Sequence, residues 1–189
     1  MHSRDDIITI AGDLFSERGY HGTSMRDLAK TLDLQGASLY SHIKSKEEML
    51  WEIVNHVADE FLRQARSISL ESSVEQRMVQ LVRAHLTVIA NELQYVTVFY
   101  QEWKFLDEPL REAIKERRET YEAYFQETIE EGMRQGVFAV ENAHLATVFV
   151  LSALNWTYHW FRPAGSMTIE QVADQYTTLV LRALRGGQL

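Results

Sequence analysis

The chain has 189 residues, 46% of them hydrophobic and 24% charged, which is enough apolar material for one sizeable core or for a small and a medium domain. It holds no cysteine, which excludes disulfides, thiolate chemistry and cysteine-based zinc sites and fits a cytoplasmic location. The net charge of −8 falls entirely beyond residue 46: residues 1–46 carry six basic and six acidic side chains, so only this segment can approach a polyanion.

The N-terminus, MHSRDDIITIAGDLF, has no basic region followed by an apolar one, so no signal peptide is expected. Ile7, Ala11, Leu14 and Phe15 follow helical spacing, and Gly19 is a natural stop. Ser24 with Asp27 makes a capping box before Met25, Leu28, Ala29 and Leu32. A break at Asp33 precedes a third short helix over Gly36 to His42, with Leu39 turned inward. Ser45-Lys46-Glu47-Glu48 is a second capping box. It opens a long helix with Met49, Leu50, Ile53, Val54, Val57, Ala58, Phe61 and Leu62 on one stripe. Serine-rich residues 66–73 read as a loop. Further helices are expected over about 74–91, from near Tyr95 to the turn before Pro109, over 110–135 closed by Gly136, over 142–161, and after a Thr168 cap. The longest apolar run, Val148 to Leu154, is about a third of the roughly 18 residues a membrane span needs. No alternating strand pattern appears. The expectation is an all-α protein of nine helices, three short ones and then six mostly long ones.

Three short helices in the first 45 residues suit a helix-turn-helix, with the third helix entering the major groove. Gly36 and Ala37 at its start let the backbone approach base edges. Ser38 and Tyr40 offer hydroxyls and His42 a ring N–H. Lys44 and Lys46 bracket the next helix start, whose amides also favour phosphate. Arg26 can reach a guanine or a phosphate, and Thr23 and Ser24 can bond phosphate while capping. Taken singly these are ordinary cap and surface residues. As an ordered set they point to double-stranded operator DNA.

The run Phe15-Ser-Glu-Arg-Gly-Tyr, then Thr23-Ser-Met-Arg-Asp-Leu-Ala, then Ala37-Ser-Leu-Tyr-Ser-His-Ile-Lys-Ser-Lys-Glu-Glu-Met-Leu, resembles the N-terminal domain of the TetR family of repressors over about residues 3–55. The resemblance implies a homodimer with a helix-turn-helix DNA-binding domain at 1–46 and a ligand-binding and dimerisation domain at 47–189. It gives Tyr40 and Lys46 phosphate-anchoring roles and places Arg26, Gly36, Ala37 and Ser38 near bases or the nearby backbone. Three positions depart from the family pattern. Asp33 stands where glycine is common in the turn, Gln35 where a capping serine is usual, and Gly36 where a polar base reader often sits. Direct readout is therefore expected to be sparse.

Residues 95–162 are rich in aromatics, most of which a helical core needs for packing. Asn155, His159 and Arg162 follow at i, i+4 and i+7 beside Trp156, so on one continuous helix they share a face. With Tyr95, Phe99, Trp103 and Tyr124 they form a candidate ligand site of apolar walls and a few polar groups. The stretch Leu154-Asn-Trp-Thr-Tyr-His-Trp-Phe-Arg-Pro resembles the tail of TetR-type regulators of fatty-acid, steroid or aromatic-acid degradation. That resemblance implies an acyl-CoA effector with Arg162 near its CoA portion, and a four-helix dimer interface from the last two helices. The alternative is a TetR-type regulator of an efflux or stress gene that answers a hydrophobic drug-like ligand. A helical-bundle enzyme is the remoter reading. There is no glycine-rich phosphate loop, nucleophile elbow or HExxH pair, and the seven histidines are dispersed. No catalytic residue, metal ligand, cofactor or membrane partner is assigned. The one histidine pairing of interest is His85 with a carboxylate such as Glu92 or Glu102.

Overall fold

The computed structural model describes residues 3–186, apart from the side chain of Ala37. In chain order the helices are α1 (Arg4–Arg18), α2 (Met25–Thr31), α3 (Gly36–His42), α4 (Lys46–Arg66), α5 (Val74–Asn91), α6 (Leu93–Glu102), α7 (Glu108–Arg134), α8 (Ala143–Asn155), α9 (Thr157–Trp160) and α10 (Ile169–Arg185). A 3₁₀ turn at Trp103–Phe105 follows α6. The described residues contain no strand, as the sequence pattern predicts.

The local signals explain most boundaries. Ser24 and Asp27 form the expected box, each side chain accepting the other residue's backbone N–H. Thr168 and Gln171 do the same at α10. Ser45 Oγ accepts the Glu48 N–H at 3.1 Å, while the Glu48 carboxylate accepts the Lys44 N–H at 2.7 Å. Gly19 and Gly136 take positive φ at the ends of α1 and α7. Asp33 has φ 51°, the one positive φ among described non-glycine residues, so the α2–α3 turn keeps its left-handed residue without a glycine. Gln35 caps α3 with no side-chain hydrogen bond.

Two expectations need correction. The first helix is not short, since it runs for 15 residues behind a Ser3–Asp6 capping box. The eighth expected helix is two. At Trp156 the i→i+4 ladder tightens, with His159 N–H donating to Trp156 O at 3.1 Å, and a new single turn starts at Thr157. The described residues form ten α-helices where nine were expected.

The chain packs as two compact units. The first comprises residues up to Asp59 with Glu92–Glu116, and the second comprises Glu60–Asn91 with the residues from Arg117 onward. The expected division at residue 46 is a different partition: all of 1–46 lies in the first unit, together with most of α4, α6 and the start of α7. In the first unit α1 packs on α6 and α2, and α2 on α3, over a core that includes Ile7, Phe15, Leu28, Leu39, Ile43 and Leu50. Gly12 makes the α1–α6 approach possible, since a Cβ there would sit 2.4 Å from the Tyr95 ring. Glycine inside a helix costs about 1 kcal/mol relative to alanine, so close packing outweighs propensity at this position. In the second unit α5 packs on α8, α9 and α10, over Met78, Leu86, Ile89, Phe125, Val150, Leu154 and Val180. Buried Arg77 is held there by Glu131 at 2.6 Å.

Candidate nucleic-acid interface

The helix-turn-helix forms because three buried anchors, Leu28, Leu39 and Ile43, leave the polar faces of α2 and α3 outside. Between these helices lies an open cleft of about 690 Å³. It is lined by Ser24, Arg26, Gly36 and Tyr40, four residues singled out from the sequence, and by Lys30, which was not. Arg26 and Lys30 are i and i+4 on α2, so the sequence held the signal: two cations on one helical face. Tyr40 is 55% exposed, free of the core and turned outward. A Cβ added to exposed Gly36 would meet nothing within 4 Å. The fold therefore does not require glycine there, and any steric need must come from outside the protein.

Thr23 and Lys46 are placed differently from the expectation. Thr23 is only 1% exposed, and its hydroxyl donates to Gly19 O at 3.1 Å and Leu14 O at 3.3 Å. It braces the α1–α2 turn and presents no hydroxyl to a phosphate. Lys46 Nζ donates to Tyr20 O at 2.7 Å and Thr23 O at 2.9 Å, and lies 4.1 Å from the Tyr20 ring centroid. Burial lowers its pKa from the ordinary lysine range. An ammonium has three donors, so a phosphate can still take the third.

Ser24 is exposed, but its hydroxyl donates to the Asp27 carboxylate at 2.5 Å. That bond and the Ser24 backbone N–H hold the Asp27 carboxyl below the usual range. Ser38 and His42 are half-buried and Lys44 is exposed. Ala37 lies within α3, but its side chain is outside the described residues.

Two residues missed from the sequence hold this surface in place. Arg4 donates to His42 O at 2.7 Å, at the C-terminus of α3, and pairs with Glu48 at 2.7 Å and with Glu52. Those hydrogen bonds to Glu52 and Glu48 raise its pKa. Buried Glu102 accepts the Tyr20 N–H at 2.9 Å, while Tyr20 stacks on Phe105. A lone arginine and a lone glutamate, 44 and 82 positions away from their partners, give no local pattern to read.

The candidate ligand residues divide between the units. Tyr95, Phe99 and Trp103 belong to the first. Tyr95 packs on Gly12 and lies edge-on to His56, and Phe99 is buried. Tyr124, Asn155, Trp156, His159 and Arg162 belong to the second. The break at Trp156 removes the continuous helix on which the shared face of Asn155, His159 and Arg162 rested. Arg162 is exposed and its Nη1 donates to His159 O and Phe161 O, and His159 lies on the Trp156 ring at 4.0 Å.

The suggested pairing of His85 with a carboxylate is not made. Its Nδ1 meets the Tyr121 hydroxyl at 3.0 Å, Glu92 lies 3.4 Å from His56, and Glu102 holds Tyr20.

Comparison with known proteins matches residues 7–53 to the family described as bacterial regulatory proteins, tetR family, and residues 71–184 to a tetracyclin repressor-like C-terminal domain. The HTH-type transcriptional repressor KstR2 of Rhodococcus jostii is 30% identical over 185 residues, covering 96% of this chain and 90% of that protein. The structure of the TetR family transcriptional regulator PfmR from Thermus thermophilus superposes with a TM-score of 0.86 at 34% identity, over 94% of this chain and 98% of the other. AibR in complex with isovaleryl coenzyme A and operator DNA gives 0.82 at 26% identity, over 97% and 99%.

Proposed function

Because this chain belongs to the TetR family of DNA-binding transcriptional regulators, and is not an enzyme, we propose that it is a ligand-responsive repressor that binds operator DNA as a homodimer and releases it on binding an acyl-CoA thioester. The observation that carries the DNA half is the α2–α3 cleft, where Arg26, Lys30, Gly36 and Tyr40 meet on an exposed surface. Arg26 and Tyr40 reach phosphate or base edges, Gly36 and Ala37 let the α3 backbone approach, and Ser38, His42, Lys44 and the third Lys46 donor complete the phosphate contacts. Thr23 and Ser24 drop out of that set because their hydroxyl protons are used internally.

The dimer reading draws on the surface of the second unit. Leu145, Val148 and Phe149 on α8 and Leu179 on α10 are exposed, and an apolar groove of about 400 Å³ is lined by Leu145, Ala146, Phe149, Ala183 and Leu184. A second copy is the natural occupant, with α8 and α10 of each protomer building a four-helix interface. The two α3 helices would then read half-sites about 34 Å apart.

The effector reading is supported by the AibR complex with isovaleryl coenzyme A and by the tail resemblance around residues 154–163. The fatty-acid, steroid or aromatic-acid degradation context follows from that resemblance. Effector binding in the 47–189 region would bias α4, which is shared by both units, and so reset the α3 spacing. A differential affinity of about 1–3 kcal/mol suffices for release. The test is anisotropy titration onto selected DNA at fixed salt, with and without acyl-CoA thioesters. Binding that one thioester reverses supports the whole reading. Binding that none reverses, but a hydrophobic drug-like compound does, moves the effector class and leaves the regulator.

A further inference from the structure

His85 on α5 is fully buried in the second unit. Its ring lies 4.8 Å from Phe61, 5.8 Å from Tyr121 and 6.4 Å from Phe125, centroid to centroid. Nδ1 is engaged by the Tyr121 hydroxyl at 3.0 Å. Nε2 is buried and has no hydrogen-bond partner among the described residues. An unpaired buried polar atom costs about 1–3 kcal/mol, so its retention calls for an explanation. Buried Thr157 and Thr177, on α9 and α10, also have hydroxyls without a hydrogen-bond partner among the described residues, and both helices pack on α5.

The chemistry of the missing partner can be narrowed. Burial lowers the His85 pKa to about 3, so the ring is neutral at physiological pH. The contact itself does not fix the direction, but a phenol O–H is a stronger donor than an imidazole N–H, and an imine nitrogen a stronger acceptor than a phenol oxygen. That assigns the Tyr121 O–H as donor to Nδ1 and puts the ring proton on Nε2, a donor in need of an acceptor. A lone buried water wants two to four polar partners, and the rings of Phe61 and Phe125 offer none. A carboxylate would bring an uncompensated charge into an aromatic enclosure. A neutral carbonyl on an otherwise apolar molecule needs one donor and welcomes the rings.

We infer that His85 Nε2–H is the hydrogen-bond anchor for a neutral carbonyl of the effector, a thioester or ketone oxygen, with the adjoining hydrocarbon against Phe61 and Phe125. This rests on the ligand-responsive reading above, but not on its CoA portion.

The test compares matched probes on the full-length wild-type protein by calorimetry: octanoyl-CoA against S-octyl-CoA, which lacks the carbonyl, and 2-decanone against decane. The expected result is about tenfold tighter binding of the carbonyl member, the scale of one hydrogen bond. His85→Phe should erase that ratio and His85→Gln, which restores an N–H, should recover part of it. Equal binding of octanoyl-CoA and S-octyl-CoA overturns the anchor and leaves the acyl-CoA effector standing. Discrimination within the ketone pair alone keeps the anchor and removes the acyl-CoA reading. If no probe binds, both fall. The wild-type ratios decide the matter even if His85→Phe does not fold.

Discussion

Lys46 holds Tyr20 in two ways at once, its ammonium bonded to the Tyr20 carbonyl at 2.7 Å and lying 4.1 Å from the ring centroid. The N–H of the same residue is taken by Glu102. The α1–α2 turn is thus gripped from α4 and from α6, and the helix-turn-helix inherits its position from both.

Lys46→Met keeps the aliphatic stem and removes three donors. Hydrogen bonds to a charged group are worth about 1.5–3 kcal/mol, discounted here for a half-buried site. We expect a stability loss of about 1–2 kcal/mol in urea unfolding and weaker DNA binding. An unchanged unfolding midpoint would show that the two carbonyls are equally well served by water.

At Asp33 the backbone requirement can be separated from the side chain. Asp33→Gly should leave the melting temperature unchanged or slightly higher. Asp33→Val forces a β-branched residue into left-handed φ and should cost about 1–2 kcal/mol, or roughly 2–8 °C for a chain of this size. Equal melting temperatures for the two variants would contradict the turn geometry.

Gly36→Ala separates fold from recognition. Nothing in the protein opposes the methyl group, so stability should hold or rise by up to about 1 kcal/mol. If α3 approaches DNA closely, affinity should drop on the order of tenfold, the scale of one lost base contact. Parallel melting and anisotropy measurements check both halves, and an undiminished affinity would remove Gly36 from the interface.

His85 makes stability pH-dependent in a predictable direction. Its folded pKa, about 3, lies below the ordinary 6.5, so between these values the unfolded chain binds the extra proton. Its contribution is complete above pH 6.5 and is lost as pH falls, at about 1.4 kcal/mol per unit. Between pH 7 and 5 the wild type should lose about 2 kcal/mol more than His85→Gln in urea titrations. Parallel losses would show that the imidazole is hydrated in the folded state.

Phe149→Glu places a charge in the exposed apolar groove of α8 and α10. Burying it against a second copy would cost about 3 kcal/mol or more, so sedimentation velocity should show dimer giving way to monomer. A variant that sediments as the wild type does would move the interface elsewhere.

Element type was legible in the sequence because caps and period-3.6 stripes are local. Ser24–Asp27, Thr168–Gln171, Gly136 and Asp33 announce themselves within four residues. The break at Trp156 was not legible, since 142–161 keeps an unbroken apolar pattern and only the tightened turn at Trp156–His159 divides it. For the candidate interface, residue types singled out Arg26, Gly36 and Tyr40, which the fold brings to one cleft. They could not reveal that Thr23 turns its hydroxyl inward or that Lys46 spends two donors on the chain itself. Long-range partners such as Arg4 with His42 and Glu102 with Tyr20 leave no periodic trace, and the Tyr121 hydroxyl that meets His85 is 36 residues away.

The most direct test of the account is DNA binding by the α2–α3 cleft itself. Wild type, Arg26→Ala and Tyr40→Ala would be titrated at one stated salt concentration onto a duplex enriched from a random pool by the wild-type protein. The account predicts saturable, sequence-specific binding by the wild type and losses of about 1–3 kcal/mol in each variant at unchanged helical content. Failure to enrich any sequence, or variants that bind as tightly as the wild type, would contradict it.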